Sequence, residues 1–248
     1  IDFSMCDFVD HSVMENMNGY AETFKRKGGH LEVIGLDNYS TRSEHPFALR
    51  KNIPNFIKPK KGALTKRQKS LQKIGTELNW EYVPYQKEDI TELNTFGYFK
   101  TRQINKITNI ISNGKCSLFD IEFSEGEMIA KQVIRASMFY IKLDKTIPEF
   151  TLDKEGVFEY IYHFTGFKDI DIKGHSDFSK RFYLSGKNQK KILDLFTDEL
   201  ILFFESNPYY HIESSEHGLL ILGKERLAGV KEIKALADFG IRLQKIIS

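Results

Sequence analysis

The stretch Lys106-Ile107-Thr108-Asn109-Ile110-Ile111-Ser112-Asn113-Gly114-Lys115-Cys116-Ser117-Leu118-Phe119-Asp120-Ile121-Glu122-Phe123 decides the architecture of most of the chain. Asn113-Gly114 is the strongest short-range hairpin signal, because a tight turn of that kind needs left-handed backbone at its centre. In the second arm Phe119, Ile121 and Phe123 alternate with Asp120 and Glu122. That period of two marks a strand with one face buried. Ser124-Glu125-Gly126 then turns the chain into a third strand, Met128–Leu143, and three strands joined in this way make an antiparallel meander.

Toward the C-terminus, helices and strands intermix. Val157, Phe158, Ile161 and Tyr162 make Asp153–Phe164 an amphipathic helix, and Arg181–Leu184 reads as a short strand. Asn188–Glu205 reads as one helix, with Ile192, Leu193, Phe196, Leu200 and Phe204 inward and Asn207-Pro208 as its stop. Tyr210–Glu213 and Gly218–Leu222 pair as a hairpin, and Val230–Ile247 closes the chain as a helix. Toward the N-terminus, Thr65 and Gln68 have the capping-box spacing, followed by Leu71, Ile74 and Leu78 on one helical face. Residues 64–248 are therefore expected to form an α+β domain.

Residues 51–73 hold Lys51, Lys58, Lys60, Lys61, Lys66, Arg67, Lys69 and Lys73, with no acidic residue. Pro54, Pro59 and Gly62 break any regular element there, so residues 51–63 read as a basic linker. It is either a solvated connector or a surface that meets anionic lipid. In the second case Lys58, Lys60, Lys61, Lys66, Arg67 and Lys69 are the candidate contacts.

Residues 1–38 read as strand, helix, strand. Ile1–Ser4 is the first strand, and Ser12 opens a helix with Glu15 three residues on. Val13, Met14, Met17, Tyr20, Ala21 and Phe24 follow on one face. Lys25, Arg26 and Lys27 suit the negative end of the helix, and Gly28-Gly29 supplies its stop. Leu31–Leu36 is the next strand, so a parallel pair with a right-handed crossover is expected. Because the chain opens on a strand already under way, a piece of a longer polypeptide is expected too.

The composition narrows the functional classes. With 248 residues, 41% hydrophobic and 28% charged, the chain is an ordinary globular protein. A net charge of +2 does not fit a dedicated nucleic-acid binder. Cys6 and Cys116 are far apart, so a reducing compartment is the default. No stretch approaches the roughly 20 apolar residues that a membrane-crossing helix needs.

Candidate chemistry is sparse. His211, Glu213 and His217 flank one strand and its turn, as a metal site or as a polar strand face. Asp169 and Asp171 alternate with Ile170 and Ile172, which fits acids facing water. His175 and Asp177 lie in a Gly/Ser loop with no evident third partner for a hydrolytic triad. Neither cysteine has the basic neighbours of a reactive thiolate. No catalytic residue, metal or cofactor is assigned. Asp10-His11-Ser12 forms a turn that ends in a hydroxyl at a helix start. Ser12 there either caps the helix or is a regulatory phosphorylation site, since phosphate is favoured at that end.

The runs Ile1-Asp2-Phe3-Ser4, Phe8-Val9-Asp10-His11-Ser12, Gly28-Gly29-His30 and Leu31–Asn38 resemble the second half of a STAS domain. More narrowly, they resemble the STAS domain of bacterial SulP-type inorganic anion transporters. His45-Pro46-Phe47-Ala48-Leu49-Arg50-Lys51 is similar to its closing segment. Pro148-Glu149-Phe150, Gly166–Asp171, Ser179–Leu184 and His211-Ile212-Glu213 resemble an uncharacterised extension found after STAS in some of these transporters.

The resemblance implies an α/β partial STAS-like unit in residues 1–50, followed by the α+β domain with its antiparallel meander. In STAS proteins of the anti-sigma-factor-antagonist type, the phosphorylated residue aligns with Ser12, although His11 and Val13 replace the second hydroxyl residue and the glycine around it. The implied role is the cytoplasmic regulatory or assembly portion of a SulP-type sulfate transporter, not itself ion-conducting and not an enzyme. Its implied place is the cytoplasmic side of the inner membrane. The implied partners are the transporter's membrane domain, an anionic membrane surface and a second copy of the chain, but not nucleic acid. The alternatives are a soluble STAS-type signalling protein and an enzyme housed in residues 64–248.

Overall fold

The computed structural model describes residues 1–3, 6, 8–36, 39–41, 43–52, 64–85, 92–126, 132–154 and 169–247. The chain divides into two compact units, Ile1–Ala63 and Leu64–Ser248.

In the first unit the described strands are β1 (Phe8–Val9), β2 (Tyr39–Ser40) and β3 (Arg50–Asn52), with helix α1 (His11–Arg26) between β1 and β2. The three strands form an antiparallel sheet in the order β1-β3-β2, with Val9 opposite Arg50 and Tyr39 opposite Asn52. This overturns the parallel strand–helix–strand unit. Of that expected pairing, a single parallel bridge joins Asp2 to Ile34. The physical reason lies in residues 33–35. Val33 and Ile34 sit at the surface, and Gly35 at φ +84° ends the extended run. The core here is instead Phe3, Val9 and Tyr39, and the Tyr39 hydroxyl donates to the carbonyls of Phe3 (2.7 Å) and Cys6.

The start of α1 also differs from expectation. Asp10 is the N-cap, its carboxylate accepting from the Val13 N–H at 2.8 Å, and Ser12 lies exposed inside the first turn. A carboxylate also suits the positive end of the helix dipole, so Asp10 takes the cap and the helix begins two residues earlier than the Ser12-x-x-Glu15 spacing implies. The first residues of the basic linker belong to β3, and residues 53–63 lie outside the described residues.

In the second unit one sheet runs, among the described residues, in the order β4-β5-β6-β7-β11-β10-β8-β9. Its strands are β4 (Glu81–Tyr85), β5 (Gln103–Ser112), β6 (Cys116–Glu125), β7 (Gln132–Lys142), β8 (Phe150–Lys154), β9 (Phe182–Gly186), β10 (His211–Ser215) and β11 (Gly218–Leu222). Every neighbouring pair is antiparallel. Asn113-Gly114 turns β5 into β6, and Gly114 takes φ +86° as that turn requires.

Helix α2 (Lys66–Leu78) opens with both halves of the Thr65/Gln68 capping box. Helix α3 (Ser176–Arg181) precedes β9. The helix expected over 188–205 is two, α4 (Gln189–Leu195) and α5 (Asp198–Glu205), because Thr197 caps a fresh start by accepting from the Leu200 N–H. Helix α6 (Val230–Ile247) closes the unit. The helix expected from Asp153 does not begin there, since Asp153 belongs to β8. Residues 155–168 lie outside the described residues.

The sheet buries both faces. On one, Leu118, Phe139, Ile141, Leu152, Leu184, Leu219 and Ile221 pack with apolar residues of the helices. Gly240 of α6 sits so close to Phe139 that a Cβ there would fall 2.3 Å from its ring. On the other face, Phe119, Ile121, Phe123, Met138, Leu220 and Leu222 meet Leu93, Phe96, Tyr98 and Phe99. These last residues come from two 3₁₀ turns, Leu93–Thr95 and Gly97–Phe99, that lie as a strap over the sheet. A meander with two buried faces explains why β11 reads as the unbroken apolar run Leu219-Leu220-Ile221-Leu222.

Candidate functional site

Under the strap the sheet carries polar side chains. Strand register sets Asp153 of β8 beside His211 of β10 in one row, and Thr151 beside Glu213 in the next. All four are buried. The His211 ring lies between two carboxylates, Nδ1 at 3.3 Å from Asp153 Oδ2 and Nε2 at 3.2 Å from Glu213 Oε1. The Tyr209 hydroxyl donates to Asp153 Oδ1, and the Tyr98 backbone N–H donates to Glu213 Oε2 at 2.9 Å.

The strap is fixed over this cluster from outside. The Tyr98 hydroxyl donates to Glu225 at 2.6 Å, and the Arg102 guanidinium lies 4.1 Å from the Tyr98 ring centre. Arg102 also pairs with Glu125 at 2.8 Å and Glu225 at 3.0 Å.

Electrostatics sets the protonation state. Burial disfavours a charged imidazole, but the hydrogen bonds and charges of Asp153 and Glu213 outweigh it and push the His211 pKa up to about 9. For Asp153, burial raises the pKa, and the bonds from His211, Tyr209 and the Lys154 N–H bring it below the usual carboxylate range. At neutral pH the ring is an imidazolium held between Asp153 and Glu213. Both ring nitrogens are then donors, so the imidazole offers no lone pair to act as a general base.

A second polar network sits on the helix face. Arg67 makes a bidentate pair with Asp120, both bonds 2.7 Å, and donates to the Ala228 carbonyl at 2.9 Å. Asn109 and Ser137 each donate to Asp120 at 2.7 Å. Asn109 takes φ +54° at the irregularity where β5 slips register against β6. This is why Arg67 is no membrane contact: its guanidinium is turned inward and spent on Asp120. Lys66 and Lys69 remain outside and exposed, while Lys58, Lys60 and Lys61 lie outside the described residues.

The other sequence candidates are dispersed. His217 is on the exposed turn after β10, away from the buried His211–Glu213 pair. Among the described residues no group of three or more His, Cys, Asp or Glu side chains is placed to hold a metal ion. Asp169 and Asp171 are exposed, with Ile170 and Ile172 buried between them. His175 faces Asp198 at 3.2 Å, not Asp177, which pairs with Lys180. Burial pushes the Cys116 thiol up to about 11, which makes it inert. Ser12 is exposed beside the Asp10 cap, and His11 Nδ1 lies 2.7 Å from the Phe47 carbonyl. A phosphate on Ser12 would meet the Asp10 carboxylate in the place where it needs N–H donors.

Sequence reasoning missed Asp153, Tyr98, Arg102 and the Arg67–Asp120 pair. A signal for Asp153 was present: Phe150 and Leu152 alternate with Thr151 and Asp153, the same period of two as in β6.

No protein-family model matches this chain, and no curated protein sequence matches it. Among solved structures, the crystal structure of the mycobacterial trehalose monomycolate transport factor A, TtfA, is similar at a TM-score of 0.49 and 14% sequence identity. The match covers 72% of this chain and 90% of that one. A likeness so distant does not bear on function.

Proposed function

We propose that the chain is a non-catalytic module that works at an anionic membrane surface, as the cytoplasmic regulatory or assembly portion of a SulP-type anion transporter. The observation that supports this is the outward face of α2. Lys66, Lys69 and Lys73 stand exposed along it at helical spacing, while Arg67, Leu71 and Ile74 turn inward. Each lysine near an anionic surface contributes about 1 kcal/mol, so three together raise membrane affinity roughly a hundredfold. The described residues contain no helix long and apolar enough to cross a membrane, so attachment through a charged face is the mode available to them. The triad at His211 fits a non-catalytic role, since its imidazole is already protonated and sealed beneath Tyr98.

Vesicle flotation tests the proposal. Binding to vesicles rich in anionic lipid is expected at low salt, with loss as salt screens it. The Lys66→Glu/Lys69→Glu/Lys73→Glu variant should no longer float. Equal binding to neutral and anionic vesicles, or an unchanged triple variant, overturns the reading.

A second reading, a soluble signalling protein that docks a partner, is favoured by one observation. Helix α1 buries no residue, and its Tyr20 and Phe24 are about half exposed. Flotation that fails, together with partner capture that is lost in a Tyr20→Ser/Phe24→Ser variant, would select it.

A further inference from the structure

We propose that the cleft between the strap and the β8–β9 edge of the sheet binds a small free oxyanion of the phosphate or sulfate class. The cleft has a volume of about 30 Å³. That is room for about two water-sized sites, which admits one tetrahedral anion and excludes a sugar ring or a nucleotide base. Its wall includes Gly97 and Lys100 of the strap, Thr151 of β8, and Ser185 and Lys187 at the end of β9.

Thr151 and Ser185 are opposite partners in the β8–β9 register, so both side chains leave the same face of the sheet. They are 5% and 3% exposed, and among the described residues neither hydroxyl makes a hydrogen bond. Both hydroxyls open to the space of the cleft, and side by side they suit a ligand that accepts from both. The other hydroxyls of the wall are already used. Thr95 donates to the Glu92 carbonyl at 2.7 Å, and Ser214 donates to the Pro148 carbonyl at 2.8 Å while accepting from the Phe150 N–H at 2.6 Å.

Lys187 brings positive charge to the wall, where it pairs with Glu149 at 2.7 Å. An incoming anion would share Lys187 with Glu149. The Phe150 ring is buried in the helix-side core and offers a sugar no stacking face. Donors without a stacking platform, in a cleft of this size, specify a compact acceptor.

This proposal is independent of the membrane reading, and the two fail separately. Isothermal titration of the full chain with inorganic phosphate and with sodium sulfate, against chloride at matched ionic strength, is the test. Saturable binding of at least one of the two oxyanions and none of chloride is expected. Thr151→Val/Ser185→Ala should weaken it at least tenfold, and Lys187→Met should weaken it severalfold.

The hydroxyl variant removes two groups that open to the cleft and hold no hydrogen bond among the described residues, so its urea midpoint should stay close to that of the parent. That check separates lost binding from lost folding. Vesicle flotation of the same variant should be unchanged, which distinguishes a free anion from a lipid headgroup. Absence of saturable binding, equal affinity in parent and variant, or a sulfate-soaked crystal with only water in the cleft each overturns the proposal.

Discussion

In residues 64–248 buried charges come with partners. Asp120 holds Arg67 in a bidentate pair, and His211 is clasped between Asp153 and Glu213. In residues 1–63 the Arg50 Nε is buried without a hydrogen bond, α1 buries no residue, and Ile1, Phe8, Tyr20, Phe24 and Ile34 are about half exposed. The difference is one of scale. A small unit has too little interior to cover its apolar side chains, whereas a larger one buries both faces of its sheet and can surround polar groups completely. Stability is therefore expected to concentrate in 64–248, and unit 1 to exchange its amide hydrogens first.

The largest expected effect comes from breaking the best-satisfied charge. Asp120→Ala leaves the Arg67 guanidinium buried without its carboxylate and removes the acceptor of Asn109 and Ser137. The cost expected is about 3–5 kcal/mol, read from urea unfolding by the fluorescence of Trp80, which packs against the helix-side core. Arg67→Met/Asp120→Leu should restore most of it, because an apolar pair leaves no charge stranded. Hydrogen exchange in residues 1–50 should stay as in the parent. If it rises along with that of the meander, the two units are not separate in stability and the contrast is broken.

Next is pH. The folded His211 pKa of about 9 lies above its ordinary 6.5, so the clasp stabilises fully below about pH 6.5 and loses its contribution as pH rises through 9. Asp153, held below its usual range, works in the opposite sense and loses its contribution as pH falls into the acid range. Unit 2 should therefore weaken by on the order of 3 kcal/mol between pH 6 and 9.5. In His211→Gln this high-pH limb should flatten. A parent whose urea midpoint is level across that range would show that His211 is buried neutral.

A smaller effect tests packing. Gly240→Ala pushes a methyl into Phe139, for an expected loss of about 1–3 kcal/mol. Gly19→Ala in α1 has open space around it. It should be neutral or stabilising by up to about 1 kcal/mol, since alanine is the better helix former. If the two substitutions act alike, the helix layer of unit 2 is not as tightly seated as the Gly240–Phe139 approach requires.

Legibility in the sequence divides along the same line. Signals set by neighbours were readable: the turn at Asn113-Gly114, the alternation in β6, the Thr65/Gln68 box and the stop at Gly28, which takes φ +76°. What failed depended on distant partners. Leu31–Leu36 looks like an interior strand by composition, yet among the described residues it makes one isolated bridge, after which Gly35 bends it away. Asp153 looked helical because the apolar spacing after it hides the period of two before it. The candidate site was half visible. His211 and Glu213 stand two apart on a readable strand, but the strap over them comes from residues more than a hundred positions earlier, and the Thr151–Ser185 pair depends on the non-sequential strand order.

The smallest effect expected concerns the start of α1, where two residues compete for one role. Ser12 with Glu15 has the spacing of a capping box, but Asp10 is the residue whose side chain accepts a helical N–H. Ser12 lies inside the helix and exposed, with no cap bond to lose. Asp10→Ala should therefore cost about 1 kcal/mol, the usual value for a lost cap. Ser12→Ala should fall within about 0.5 kcal/mol of zero, as exposed surface changes do. The readout is hydrogen exchange of residues 11–16. Asp10→Ala should raise it severalfold and leave β5–β7 untouched, while Ser12→Ala should leave it as it was. If Ser12→Ala destabilises and Asp10→Ala does not, the cap belongs to Ser12 and the helix starts two residues later, with its N-terminal N–H groups open to a phosphate on that serine. If both are silent, the fraying of α1 already dominates its exchange, and the gap in stability between the two units is wider than burial alone implies.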